Sequence, residues 1–332
     1  MANNMADNKQ DNLKNINAVP MDRFACGRYR ILYPAMNMYN VSKMTISNPG
    51  TFRYYGQEWI FTQRICGEKT LKSLLDFKKQ YNVKFCIDYD DIVWKALPDY
   101  NKCAINWEDN RKGMELYLND IADKVTCTNE FLKKDLTQFV DESKIVVMPN
   151  CLDYNRWRFD YYKPDNKITF FYAGSPTHYT KGDTGDFGKG LVHYLSNKEL
   201  SVQGIKPDFL RVKEVYPWVD IDDYPIAFAN NALKSKFVIA PLIDNYFNKC
   251  KSDLKYIESC AVGRVCLVSD FLDCPYSSVA HEYQKIPLNS TATAINYIVE
   301  RANEHYDEII EHQYKVLNER WLKRDKYLEL FS

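Results

Sequence analysis

Short apolar runs of strand length alternate along this chain with longer amphipathic segments, the pattern of strands and helices wound around parallel sheets. The runs predict strands at residues 45–48, 58–62, 83–87, 124–128 and 144–148. Helices are expected between them: one opening near Gly27, one over 69–81, and one over 131–139 with Thr128 as its cap. Together these form a first doubly wound unit over residues 18–150. The stretch 150–166 has neither helical nor alternating periodicity and ends in a Pro-Asp-Asn turn signal, so 151–166 reads as a hinge. A strand at 168–173 running into Gly174 and Ser175 then begins a second unit over 167–303. It continues with a buried strand at 236–242, a helix over 251–262 stopped by Gly263, and a strand at 265–268. The end reads as continuous helix over 292–330, its part from 304 to 332 crossing back to the first domain. The polar start, residues 1–17, reads as a disordered tail.

A length of 332 residues suits two domains of ordinary size, and 45% apolar with 27% charged residues suits folded ones. Lysine plus arginine balances aspartate plus glutamate at 44 each, so no net field draws a polyanion and nucleic-acid binding would need a local basic patch. No apolar run approaches the roughly 20 residues that span a bilayer, and the start is no signal peptide. A cytoplasmic protein is expected. The ten cysteines include no CxxC pair, and several lie in apolar runs, so buried reduced thiols are expected rather than a zinc site or disulfides.

The most informative segment runs from Phe237 to Asp270, FVIAPLIDNYFNKCKSDLKYIESCAVGRVCLVSD. On a helix starting at Lys251, residues Lys251, Lys255 and Glu258 fall at about 0°, 40° and 340° around the axis and share one stripe. The helix start offers N–H groups and a positive dipole end suited to a diphosphate. Ser252 can cap the helix or touch a phosphate oxygen, and Glu258 can accept hydrogen bonds from ribose hydroxyls. On spacing alone, a solvated face carrying a Lys–Glu pair explains the stripe equally well. In FYAGSPTHYTKGD, the Gly174-Ser175 turn lets backbone approach a phosphate, with His178 and Lys181 following in a loop; an ordinary turn reads the same way.

Two weaker constellations lie in the first unit. In CGRYRILYP, Gly27 opens a helix beside Arg28 and Arg30, which can hold anionic oxygens or simply face solvent. In IDYDDIVW, Asp88, Asp90 and Asp91 sit at the carboxyl end of a strand, the edge where open α/β sheets bind ligands. Asp88 and Asp90 also fit a short Asp-x-Asp metal pattern, while Asp91 can cap a following helix. Neither a Walker motif nor GxGxxG is present, which removes the main support for kinase and ordinary dehydrogenase readings.

The order ADKVTCTNEFLKKDL, KIVVMPNCLDYNRW, AGSPTH and APLIDNYFNKCKSDLKYIESCAVG resembles the two-domain, GT-B-type glycosyltransferases of bacterial polysaccharide synthesis and of some phages, over roughly residues 27–276. The resemblance implies an α/β fold of two Rossmann-like domains with an interdomain cleft. It also implies transfer of a hexosyl or pentosyl group from a nucleoside-diphosphate sugar to a hydroxyl acceptor, a surface glycan or a modified phage DNA base. By the same resemblance Gly174, Ser175, His178, Lys181, Lys251 and Ser252 lie at the donor phosphates and Glu258 on the ribose. Lys251, Lys255 and Asp90 are the catalytic candidates, and Gly27, Arg28, Arg30, Asp88 and Asp91 the acceptor side. Retention of configuration is implied, with no cofactor and no metal required. One departure stands out: the family often carries two glutamates separated by seven residues, and Cys250 occupies the first position. The competing expectations are a one-domain, metal-dependent transferase using Asp88 and Asp90, a nucleotide-sugar epimerase, and a noncatalytic sugar-binding module.

Overall fold

In the computed structural model, which describes residues 14–39, 42–101 and 106–332, the chain forms two six-stranded sheets in which all pairings are parallel. The first contains β1 (Asn15–Val19), β2 (Lys43–Ile46), β3 (Trp59–Gln63), β4 (Lys84–Tyr89), β5 (Ala122–Cys127) and β6 (Ile145–Val147), in the order β2-β1-β3-β4-β5-β6. The second contains β7 (Phe170–Gly174), β8 (Leu200–Gly204), β9 (Glu214–Tyr216), β10 (Phe237–Ala240), β11 (Val265–Asp270) and β12 (Lys285–Pro287), in the order β12-β11-β10-β7-β8-β9. Parallel strands need crossover helices on their faces, so the central strands are buried on both sides: every residue of β3, β7 and β10 is buried.

The chain divides into two compact units. Of the described residues, the first takes 14–39, 42–95, Asn106–Met148 and Leu322–Ser332; the second takes residues 96–101 and Pro149–Trp321. Ile16, Ala18, Trp59, Phe61 and Cys86 anchor the first core, completed by Tyr327, Leu330 and Phe331 from the end of the chain. Phe331 stands edge-on to both Trp59 and Phe61. The second core packs Phe170, Tyr172, Val202, Ile239 and Leu267 against the helices Gly188–Leu195, Ala292–Glu304 and Tyr306–Glu319.

Several sequence expectations change. Residues 15–17, read as part of a tail, begin β1, and Ile16 and Asn17 are fully buried; residues 1–13 lie outside the described part. The asparagines at 15 and 17 break the continuous apolar run that marks a strand buried on both faces, and so concealed this one. Asn129, not Thr128, caps the helix Glu130–Leu136, its side chain accepting from the Leu132 N–H at 2.7 Å. The region read as irregular hinge contains a helical turn, Tyr154–Trp157, capped by Asp153, with Trp157 fully buried against Tyr224 and Phe228. The single long terminal helix is three: it breaks at His305 and again before Arg324–Leu328.

The helix expected from Lys251 begins three residues later, at Leu254, and ends at Ala261. A separate turn of helix, Tyr246–Lys249, precedes it, capped by Asn245. The Lys251 N–H closes on the Asn248 carbonyl, so Lys251 and Ser252 lie on the link between the two helices. No helix among the described residues is long and apolar enough to cross a membrane.

Candidate active site

In the second sheet the chain runs outward through β7, β8 and β9, then returns to place β10 beside β7. Ligands of open parallel sheets bind beyond the carboxyl ends of the strands at such a reversal. Strand β7 ends there at Gly174, where a Cβ would lie 2.0 Å from the Tyr172 hydroxyl, so no side chain fits. Ser175 follows in extended conformation, its hydroxyl 2.6 Å from that of Thr177, and the turn Pro176–His178 brings the imidazole back over the sheet edge. His178 Nδ1 lies 2.7 Å from Asp186 Oδ2, and its Nε2 3.2 Å from Lys255 Nζ. Gly185, just before Asp186, has φ +50° and would press a Cβ to 2.1 Å from the His178 carbonyl, so this tight approach requires glycine.

Asp186 is 1% exposed, and its Oδ1 accepts hydrogen bonds from the Tyr100 hydroxyl at 2.7 Å and from Asn248 Nδ2 at 2.5 Å. Burial pushes this carboxyl up, but the bonds from His178 and Tyr100 and the charge of Lys251 outweigh it, holding it below the usual carboxylate range. Burial, with the charges of Lys255 and Lys251, pulls His178 down to about 3, so the ring is neutral. Lys255, half-buried in the first turn of Leu254–Ala261, has its ammonium 4.7 Å from the centre of the Tyr172 ring. Burial and the charge of Lys251 bring it down to about 7, against the opposing charges of Asp186 and Glu258. One turn along, Glu258 is 3% exposed and accepts from the Tyr224 hydroxyl at 3.3 Å.

Of the expected stripe, Lys255 and Glu258 share the helix, whereas Lys251 precedes it and rests its ammonium 4.4 Å from the Phe247 ring centre. Its charge still bears on His178, Lys255 and Asp186. Ser252 does not cap the helix. Its hydroxyl accepts from Asn150 Nδ2 at 2.7 Å, while the N-cap residue, Asp253, turns its carboxylate to Arg320 at 2.7 Å. Lys181 is exposed on the turn Thr180–Asp183. Cys250 is fully buried beside Lys251, and none of the nine described cysteines forms a disulfide.

In the first unit the acidic residues are committed to arginines. Arg30 binds Asp88 through Nε (3.0 Å to Oδ2) and Nη2 (2.6 Å to Oδ1), both residues at most 2% exposed; Thr126 adds a hydroxyl at 2.6 Å, and Arg30 Nη1 donates to the Met148 carbonyl at 2.7 Å. Asp90 is bound bidentately by Arg64, which also approaches Asp91 at 3.9 Å. Burial raises the Asp90 carboxyl, but Arg64 reverses this and holds it low, so Asp90 is poorly suited to act as a base. Asp91 caps no helix; its carboxylate accepts from the next residue's N–H at 3.0 Å. Gly27 is buried with its N–H on Asp22, and Arg28 is half-buried with its Nε toward the Arg23 carbonyl. The Asp88–Asp90 pair is thus an arginine-clamped element, not an open ligand set. Among the described residues no group of three or more histidines, cysteines or acids is placed to hold a metal ion.

Asp186, Tyr100, Asn248 and Tyr224 were not singled out from the sequence. Asp186 lies eight residues past His178 in a glycine-rich loop, and Tyr100 comes from a segment embedded in the first unit's sequence; neither has a spacing that marks it.

No family profile matches the sequence, and no curated relative matches it. Solved structures do match its fold. A glycosyltransferase from Rickettsia africae superposes with a TM-score of 0.63 at 14% identity, covering 96% of this chain and 98% of that one. Anabaena HepE, in complex with UDP and glucose, superposes with 0.65 at 9% identity, covering 96% and 99%. A mutant of T4 phage BGT in complex with UDP-glucose superposes with 0.54 at 14% identity, covering 95% and 97%. Two parallel six-stranded sheets matched over nearly the full length of these proteins leave no room for the one-domain alternative. The chain has the GT-B fold of two Rossmann-like domains.

Proposed function

We propose that this protein is a glycosyltransferase that moves a sugar from a nucleoside-diphosphate sugar to a hydroxyl acceptor. The observation that carries the proposal is the half-buried Lys255 ammonium at the chain reversal of the second sheet, flanked by Lys251, the His178–Asp186 pair and Glu258. Breaking the bond between the sugar C1 and the phosphate oxygen builds negative charge on the departing diphosphate, and fixed cations there lower the barrier. In this reading the backbone at Gly174 and Ser175 approaches the phosphates, with Lys251 and Lys255 opposite, and Glu258 takes the ribose hydroxyls. A cavity of about 690 Å³, which shares Asp186 with the cluster and is lined further by Lys189, Ile243, Asp244 and Ser290, offers room for a sugar. Both carboxylates of the cluster are buried and hydrogen-bonded, so a donor phosphate oxygen takes the acceptor proton as the new C1–O bond forms, with retention. Charge compensation is assigned to the lysines rather than to a divalent cation.

Uridine diphosphate is the first nucleotide to test, since HepE and BGT are crystallised with UDP or UDP-glucose. In EDTA it is expected to stabilise the protein by about 2.7 kcal/mol at one hundred times its dissociation constant. Glu258→Gln should raise that constant about tenfold, the worth of roughly 1.5 kcal/mol for a hydrogen bond to a charged group. Calorimetric titration of both proteins checks this. Equal affinity in the two would remove Glu258 from the ribose, and no binding of any nucleoside diphosphate would remove the transferase reading.

Lys255 also predicts a pH profile. Its ammonium faces Lys251 from the preceding link, His178 and Asp186 from the loop after β7, the Tyr172 ring of β7, Glu258 on its own helix and Cys266 of β11. With its pKa down to about 7 in the free enzyme, the charged form that assists departure is lost as pH rises through 7. The kcat/KM for donor should therefore fall above about pH 7, whereas kcat, which reports the complex with a bound diphosphate, should fall only at higher pH. Coincident alkaline limbs in the two profiles would contradict this assignment.

A further inference from the structure

The hydrogen bonds around Asp186 have only one consistent direction. An ionised carboxylate accepts and never donates. Its Oδ1 receives the Tyr100 O–H and an Asn248 N–H, so Oδ2, 2.7 Å from His178 Nδ1, must receive a ring N–H as well. The neutral imidazole then has its proton on Nδ1 and a bare Nε2. That nitrogen lies 3.2 Å from Lys255 Nζ, whose ammonium can only donate. The direction of every bond is thus set from Tyr100 and Asn248 through Asp186 and His178 to Lys255.

We propose that Asp186 and His178 are positioning residues for Lys255: the carboxylate fixes the imidazole tautomer, and the imidazole Nε2 holds the ammonium in line for a departing diphosphate. The role given to Lys255 rests on the transferase reading above; the tautomer assignment does not.

Asp186→Asn tests both parts. Tyr100 and Asn248 both donate to the same oxygen, so the amide must keep its carbonyl oxygen on them and turn its NH₂ toward His178. The ring proton then moves to Nε2, where it confronts the Lys255 ammonium, donor against donor. Two-bond ¹⁵N–¹H correlation spectra of the imidazoles, with His178→Gln used to assign its signal among the five histidines, should show Nδ1–H in the wild type and Nε2–H in Asp186→Asn. Turnover should fall at least about tenfold in Asp186→Asn with donor KM within about threefold, the loss expected when a charged group loses its hydrogen-bonded support. His178→Gln can reproduce both bonds, its amide N–H to Asp186 and its oxygen to Lys255, and should keep kcat within about threefold. His178→Leu can make neither and should fall at least about tenfold. Circular dichroism establishes that each variant is folded.

An unchanged tautomer in folded Asp186→Asn overturns the proposal, as does a switched tautomer with wild-type kcat. Equal losses in His178→Gln and His178→Leu overturn the positioning role. A wild-type protein that turns over no nucleotide-sugar would instead overturn the transferase reading, with the tautomer result standing by itself.

Discussion

Replacing Lys255 by alanine is expected to lower kcat by about 10²–10³ while leaving the donor's KM within severalfold, the loss typical of removing one preorganised group that stabilises transition-state charge. The split follows from when the charge develops. In the bound donor the diphosphate charge is shared with the sugar bond, and it is fully released only as that bond breaks, so the ammonium gains most at the transition state. Folding should survive, because removing a half-buried cation lowered to about 7 by burial and by Lys251 relieves an unfavourable placement in the free enzyme. Steady-state kinetics at pH 6.5, with circular dichroism, measure the effect. A wild-type kcat in a folded variant would take Lys255 out of the chemistry and leave Lys251 as the cation to examine.

Asp88→Ala should act on stability instead, costing about 3–5 kcal/mol, because it leaves the Arg30 guanidinium in the core with one side of its fork unpaired. Asp88 accepts three bonds from Arg30 and one from Thr126, so the substitution opens a network rather than deleting a single contact. Urea unfolding followed by tryptophan fluorescence should show the loss in the transition of the first unit, with the affinity for nucleoside diphosphate nearly unchanged in the folded protein. Replacing both partners by apolar residues, Arg30→Met with Asp88→Leu, should recover most of the loss. A cost below about 1 kcal/mol in Asp88→Ala would mean that the pair is not the buried clamp described here.

What was legible in the sequence follows from how each element is encoded. Strands β4 and β11 carry unbroken apolar runs, Phe85–Ile87 and Val265–Val268, so burial on both faces marks them in the residues themselves. Strand β1 was hidden because Asn15 and Asn17 interrupt it; Asn17 finds partners in the Arg53 carbonyl and the Ser47 hydroxyl, contacts that only the folded chain supplies. At the site, Lys255 and Glu258 were legible because three residues along a helix is a fixed geometric relation. Lys251 was misplaced on that helix because the Asn245 cap, which starts a separate turn before it, is a local signal weaker than the apolar stripe. Asp90 was legible as a carboxylate at a strand end, but its partner Arg64, which removes it from acid–base work, lies 26 residues away with no pattern joining the two. Asp186 was not legible, since its role depends on donors from three segments far apart in the sequence or joined by no fixed spacing.

The hydrophobic floor of the first sheet is closed by residues made long after its strands. Trp59 and Phe61 are covered by Phe331, and Tyr327 and Leu330 join the same core, more than 250 residues after the strand they pack against. A nascent chain therefore emerges with its first sheet assembled but open on one side, and the usual order in which the leading domain finishes before the next is synthesised does not hold. The trailing unit can complete its own interior while the leading one still exposes aromatic surface, so the interval before residues 327–331 emerge is when the first unit is most in need of a chaperone.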